Sequence, residues 1–204
     1  LKQGYQFFHS DIKTQHTTLC YGYDPEKFVS SEHKKTNSFI TVAQLNAPNY
    51  YRKGIDLIFE MGKRFPEFFF TIVGNTAEMK YDFVPPNVTL LPFNPYEELK
   101  NAYGSHEFYF QLSICEGFPS APCEAMLCGC IPIVSNVAAL PEIVGDAGFI
   151  LPKKDPDLLE QLLKKALSSD KTTLSIKARQ RIIDKYPINE RQKFIELVGR
   201  LAKQ

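Results

Sequence analysis

Short apolar runs of strand length recur along this chain, and most are followed by a stretch with helical spacing. That alternation restricts the folds open to the chain more than any other feature. The strand candidates are residues 38–44 (SFITVAQ), 68–74 (FFFTIVG), 88–93 (VTLLPF), 107–112 (EFYFQL), 131–136 (IPIVSN) and a short 148–151 (GFIL). Several are apolar on both faces, as strands are when helices cover each side of a parallel sheet. Between them, residues 53–65 (KGIDLIFEMGKRF) set Ile55, Ile58, Met61 and Phe65 on one stripe, and residues 95–103 (PYEELKNAY) read as a helix after the third strand. Residues 155–167 carry Leu159, Leu162, Leu163, Ala166 and Leu167 at helical spacing, with Asp155 placed to cap and Pro156 at the first position. A loop is expected at 168–172, and the final segment repeats the helical pattern with Phe194, Leu197, Val198 and Leu201. This order predicts an α/β fold, a doubly wound, mainly parallel six-stranded Rossmann-like sheet with C-terminal helices. Residues 1–16 carry no pattern and read as a linker or the remnant of a preceding domain, which leaves 17–204 as one domain.

Charge and cysteine content exclude several functions. With 24 basic and 23 acidic side chains the formal charge is +1, which offers no broad attraction for nucleic acid or anionic lipid, so an anionic ligand must be held locally. No apolar run approaches the roughly 20 residues of a membrane span, and the first residues lack a leader pattern. They also lack an initiating Met, so the chain is expected to be a piece of a longer protein. Five cysteines, an odd number, favour a reducing, cytoplasmic setting. Four of them, Cys115, Cys123, Cys128 and Cys130, crowd into sixteen residues, but gaps of eight, five and two do not match zinc-ligand pairs. They read as small apolar fillers, and no metal is expected. The chain has neither G-x-x-x-x-G-K-[ST] nor G-x-G-x-x-G after its first strand, which removes most support for ATPase and dinucleotide readings. His9, His16, His33 and His106 all fall away from the strand-end loops and read as surface or structural residues.

In a doubly wound sheet, ligands sit beyond the carboxyl ends of the strands. After the strand at 107–112 comes SICEGFPSAP, a turn-rich loop, and Pro122 suits the first turn of a helix through CEAMLCG. Backbone N–H groups exposed there would favour a phosphate. Glu124 falls in that first turn and Glu116 in the loop before it. Carboxylates make poor phosphate ligands but good acceptors for sugar hydroxyls. The plainer alternative is that Glu124 complements the helix dipole and Glu116 is solvated. Glu142, in another first turn, is given a capping role.

The segment EGFPSAPCEAMLCGCIPIVSNVAALPEIVGDAGFIL resembles the signature region of family-4 glycosyltransferases of the GT-B fold, with Glu116 and Glu124 filling its E-x7-E pair. TLCYGYDPEKF, TVAQLNAPNYYRKGIDLIFEM, FTIVGN and VTLLPF are similar to further family segments in family order, so the resemblance runs from about residue 17 to residue 167. It implies one half of a GT-B fold, the C-terminal domain that binds a nucleotide-diphosphate sugar. It also implies that Glu124 holds the ribose hydroxyls and Glu116 contacts the transferred sugar. The backbone of Gly117, Phe118 and Pro119 would approach the sugar and diphosphate, and Leu91 and Pro92 would border the base. Lys53 matches the lysine of the family's basic pair. The arginine position holds Gln44, which removes a charge; either Arg52 replaces it, or Lys53 acts with backbone donors alone.

The resemblance therefore implies a hexosyltransferase, retaining in outcome, with no cofactor beyond its donor substrate. No Asp-x-Asp pair stands at a strand end to hold a divalent ion. A missing N-terminal domain would supply the acceptor site, so the piece alone would be inactive. Its acceptor would be a glycan or lipid-linked sugar in polysaccharide or glycan biosynthesis, with the full-length enzyme cytoplasmic or peripheral to the membrane. A nucleotide-sugar epimerase on the same scaffold and a non-catalytic nucleotide-sugar-binding module remain as rivals.

Overall fold

The computed structural model describes residues 20–202 apart from 32, 77 and 94. Six parallel strands form one sheet in the order β3-β2-β1-β4-β5-β6. They are β1 (Lys35–Val42), β2 (Phe69–Val73), β3 (Val88–Leu91), β4 (His106–Gln111), β5 (Ile131–Ser135) and β6 (Phe149–Leu151). Each coincides with an expected strand, and the parallel doubly wound class is as expected. The helices are α1 (Ala47–Arg52), α2 (Ile55–Arg64), α3 (Tyr96–Gly104), α4 (Ala121–Leu127), α5 (Leu140–Val144), α6 (Pro156–Leu167), α7 (Lys171–Lys185) and α8 (Glu190–Leu201). The proposed linker at 1–16 lies outside the described residues.

Side chains alternate across the sheet, and so the core divides in two. On one face Phe39, Phe70, Phe108 and Phe110 pack with Ile55, Ile58 and Met61 of α2 and with Leu159 and Leu163 of α6. Phe39 is the centre of this layer, stacked on Phe70, Phe108 and Phe110 at 4.9–5.1 Å between centroids. Each such ring contributes about 2–3 kcal/mol through burial alone. On the other face Ile40 and Tyr109 meet Tyr103 of α3, Cys123 and Met126 of α4, and Ala178 and Ile182 of α7. Asp155 caps α6 as its position suggests, accepting from the N–H groups of Asp157 and Leu158 at 2.9 and 3.0 Å.

Four places depart from the sequence expectations, the first being the loop expected at 168–172, which ends early because Asp170 caps α7 and Lys171 already begins it. No helix is expected between the first strand and residue 53, yet α1 lies there, capped by Asn46, whose Oδ1 accepts from Asn49 N–H at 2.9 Å. Its residues Asn46, Ala47 and Pro48 are themselves a helix-start signal that a short polar segment obscured. The apolar stripe of α8 is present, but Phe194 and Leu201 are 58% and 59% exposed, so the periodicity marks a face without a covering layer among the described residues. Glu142 does lie in the first turn of α5, but its carboxylate pairs with Lys185 at 3.2 Å.

In this strand order the path of the chain reverses between β1 and β4, which opens a crevice at their carboxyl ends. The loops bordering it carry the candidate residues.

Candidate functional site

The residues at this crevice are set by backbone constraints as much as by charge. Lys53 caps the end of α1, and the next residue, Gly54, has φ of 71°. A Cβ at Gly54 would lie 2.3 Å from the Leu112 carbonyl oxygen, so only glycine lets this corner press against the end of β4. Ile114 N–H then donates to the Arg52 carbonyl at 2.9 Å and ties the two loops together. The result is a direct ion pair between Lys53 and Glu116, whose side chains are 17% and 9% exposed.

Glu116 is further held by Gln111, which the sequence reading missed. Gln111 Nε2 donates to Glu116 Oε1 at 2.8 Å and to Ser113 Oγ at 3.0 Å, while its own Oε1 accepts from Tyr109 at 2.6 Å. The signal was available: polar Gln111 follows the apolar run Phe108–Phe110 at the end of β4, with Ser113 just beyond it, and both are buried. Burial pushes the Glu116 carboxyl up, but Lys53, Ser113 and Gln111 together outweigh it and hold it below its ordinary range.

Glu124 sits in the first turn of α4, as expected, and burial pushes its carboxyl up. Among the described residues it forms no ion pair with a lysine or arginine. No side chain caps the start of α4, and Pro122 in its first turn has no N–H to satisfy. The helix is seven residues long, so its dipole is a minor contribution beside Lys53.

The remaining candidates occupy three settings. Gly117 is exposed with open space around it, and the Phe118 ring packs edge-on against Tyr186 at 5.3 Å between centroids. Pro119 is half-buried beside it. Gln44 is exposed, and its carbonyl accepts from Asn49 Nδ2 at 2.8 Å. Arg52 ends α1, with Nε bound to Asn49 Oδ1 at 2.9 Å and no carboxylate partner among the described residues. Leu91 is half-buried, and its carbonyl already accepts from Gly74 and Asn75 N–H groups at 2.9 and 2.8 Å. Pro92 is exposed.

The buried cysteines are packing residues. Cys123, Cys128 and Cys130 lie in the layer under α4, and burial pushes their thiols up to about 12, 12 and 11. His106 is also structural, its ring held by Ala102 O at 2.7 Å and Thr71 Oγ1 at 2.9 Å.

Residues 23–183, most of the chain, match the family described as glycosyl transferases group 1. The chain belongs to this family. It is 35% identical over 83 residues to O-antigen chain mannosyltransferase B of Escherichia coli, a match covering 41% of this chain and 22% of that protein. Among solved structures, sucrose-phosphate synthase from Thermosynechococcus elongatus superimposes with a TM-score of 0.83 at 18% identity, covering 99% of this chain and 56% of that one. HepE of Anabaena, solved in complex with UDP-glucose, gives 0.74 at 15% identity, covering 89% and 56%. These structural likenesses establish a GT-B glycosyltransferase half as the fold. The chain thus spans little more than half the length of these structures and less of the curated relative. No helix among the described residues is long and apolar enough to cross a membrane.

Proposed function

We propose that this group 1 domain is the donor-binding half of a retaining, family-4-type glycosyltransferase that moves a sugar from a nucleotide diphosphate to a glycan or lipid-linked acceptor. The observation that carries this reading is the Lys53–Glu116 pair, formed across the crevice between the β1 and β4 loops. A cation and a sugar-binding carboxylate are held there within one ligand's reach. The likeness of fold to HepE, solved with UDP-glucose, supports a nucleotide-sugar donor.

Cleavage of the donor leaves negative charge on the departing diphosphate. Lys53 stabilises that charge most directly, because its ammonium is already positioned and partly desolvated. The N–H groups at the start of α4 and the backbone of Gly117, Phe118 and Pro119 add donors. Glu116, kept ionised by Lys53 and Gln111, accepts hydroxyls of the transferred sugar. Glu124 takes the ribose hydroxyls, an arrangement in which two O–H donors compensate a buried carboxylate. Leu91 and Pro92 border the base. With Gln44 in place of the expected arginine, Arg52, one residue from Lys53, is the nearest supplement of charge. The acceptor site belongs to an N-terminal domain outside this chain.

The test is transfer from a panel of labelled nucleotide sugars by the protein that carries this chain, compared with its Glu116→Ala variant. Transfer that is lost in the variant is the expected result, and undiminished transfer refutes the role of Glu116. The exposed Gln44 favours one rival, a non-catalytic binding module, which predicts donor binding with no transfer in the parent protein. Epimerised donor without transfer would point to an epimerase.

A further inference from the structure

A second cavity, of about 520 Å³, lies on the outer side of α1 and α2, where Tyr50, Tyr51, Asp56, Tyr81, Asp82 and Phe83 contribute to its lining. Its origin is topological. Parallel strands are usually joined by a crossover helix, but among the described residues the connection from β2 to β3 has none. The turn segment that carries Tyr81 and Val84 packs against this side of the core, beside Tyr50 of α1, whose ring meets Phe59 of α2 at 5.6 Å.

We propose that this cavity binds a sugar ring of a neutral oligosaccharide, a unit of the acceptor or product glycan distal to the reacting end. The aromatic lining supports this. Tyr51 and Phe83 are 64% and 56% exposed, with the Lys154 and Lys63 ammonium groups 5.6 and 5.9 Å from their respective ring centroids. Tyr50 is braced edge-on against Tyr51 at 5.0 Å and Phe59 at 5.6 Å, and Tyr81 is fixed by its hydroxyl bond to Asn75 at 3.0 Å. The C–H face of a pyranose carries partial positive charge and suits the negative face of such a ring.

The charge pattern is the second observation. Asp56 and Asp82 share the lining with Lys63 and Lys80, and Asp56 is paired with Lys154 at 2.9 Å while Lys63 lies 3.9 Å from Glu60, so the cavity presents no unbalanced positive charge for a phosphate-rich ligand. Among the described residues Asp82 and Lys80 form no ion pair, which leaves a donor and an acceptor for ring hydroxyls. The volume suits a small ligand, not a protein partner. Its position completes the case, because Tyr50 and Tyr51 share α1 with Arg52 and abut Lys53 at its end. A glycan lying along α1 would pass from this cavity toward the crevice.

The inference rests on the glycosyl-transfer reading, and its test separates the two. Mannotriose, maltotriose and chitotriose are titrated into the chain and into Tyr51→Ala and Phe83→Ala variants, with UDP and GDP titrated in parallel. Both replaced rings are exposed, so the variants are expected to fold, and unchanged thermal unfolding checks this. At least one trisaccharide should bind the parent chain and lose about tenfold in affinity in each variant, while nucleotide binding stays within about twofold. If no trisaccharide binds, if binding survives in both variants, or if UDP or GDP displaces the sugar, the inference is overturned. Trisaccharide binding that follows the expected pattern with no nucleotide binding would uphold the cavity and refute the donor-site reading instead.

Discussion

Two lysine–glutamate pairs sit at opposite ends of the sheet, and they are built differently. At the amino ends of the strands, Glu107 has both oxygens occupied: Oε1 accepts from Lys171 and Oε2 from the Asn37 N–H, each at 2.8 Å. Nearby Lys34 donates to the carbonyls of His106 and Cys128 at 2.8 and 3.0 Å, joining β4 to the end of α4. Every charge there is spent on protein groups. At the carboxyl ends, Lys53 and Gln111 both donate to Glu116 Oε1, so the other oxygen has at most the Ser113 hydroxyl nearby. Glu124, in the first turn of α4, forms no ion pair among the described residues. The lower pair fastens elements together, whereas the upper pair is only partly satisfied and leaves capacity for a ligand.

The largest effect that would sharpen this contrast is expected from Gly54→Ala, which places a Cβ against Leu112 O in a left-handed backbone. It should cost about 3 kcal/mol and, by shifting Lys53, also lose nucleotide binding. Thermal unfolding and a nucleotide titration read both effects, and wild-type values in each would show that the corner does not position the pair.

Next in size is an exchange of matched glutamates. Glu107→Gln should lower Tm by roughly 2–4 °C, a loss near 1 kcal/mol, and leave nucleotide affinity unchanged. Glu116→Gln should do the reverse, abolishing sugar transfer in the protein that carries this chain for a small stability change. If both variants behaved alike, the distinction between fastening and functional pairs would fail.

The smallest effect separates the two site carboxylates. The Glu116 pKa is lowered from 4.5, so its contribution to stability is complete above 4.5 and lost as pH falls through its folded value. The Glu124 pKa is raised from 4.5, so the folded state holds that proton more tightly and stability falls as pH rises through the interval above 4.5. Glu124→Gln should therefore raise Tm by about 2 °C at neutral pH while weakening nucleoside binding. Comparing Tm across pH 3–7 in the two glutamine variants checks the opposite signs.

Much of this architecture was legible in the sequence because several strand runs are apolar on both faces and α2 and α6 carry complete stripes, whereas α7, the longest helix, buries only Ala178 and Ile182. Leu159, Leu163 and Ala166 of α6 are buried as their spacing implies. Helix α1 was not legible, since six residues give too little periodicity and its cap had to be read from Asn46 and Pro48 alone. The exposed stripe of α8 shows the converse limit, because periodicity predicts an apolar face without saying what covers it. At the site, Glu116 and Glu124 drew attention by residue type and place, while Lys53 and the roles of all three came from the family resemblance. That Lys53 reaches Glu116 depends on the close approach at Gly54, and Gln111 escaped notice because a polar residue within an apolar strand looks local until its partners are known.

The central claim is that Lys53 and Glu116 mark a diphosphate site. It is tested most directly by calorimetric titration of UDP, UMP, GDP and GMP into the chain and its Lys53→Ala variant. One diphosphate should bind at least about tenfold tighter than its monophosphate, and the variant should lose that advantage. Equal affinity for diphosphate and monophosphate in the parent chain, or an advantage that survives in Lys53→Ala, would contradict it.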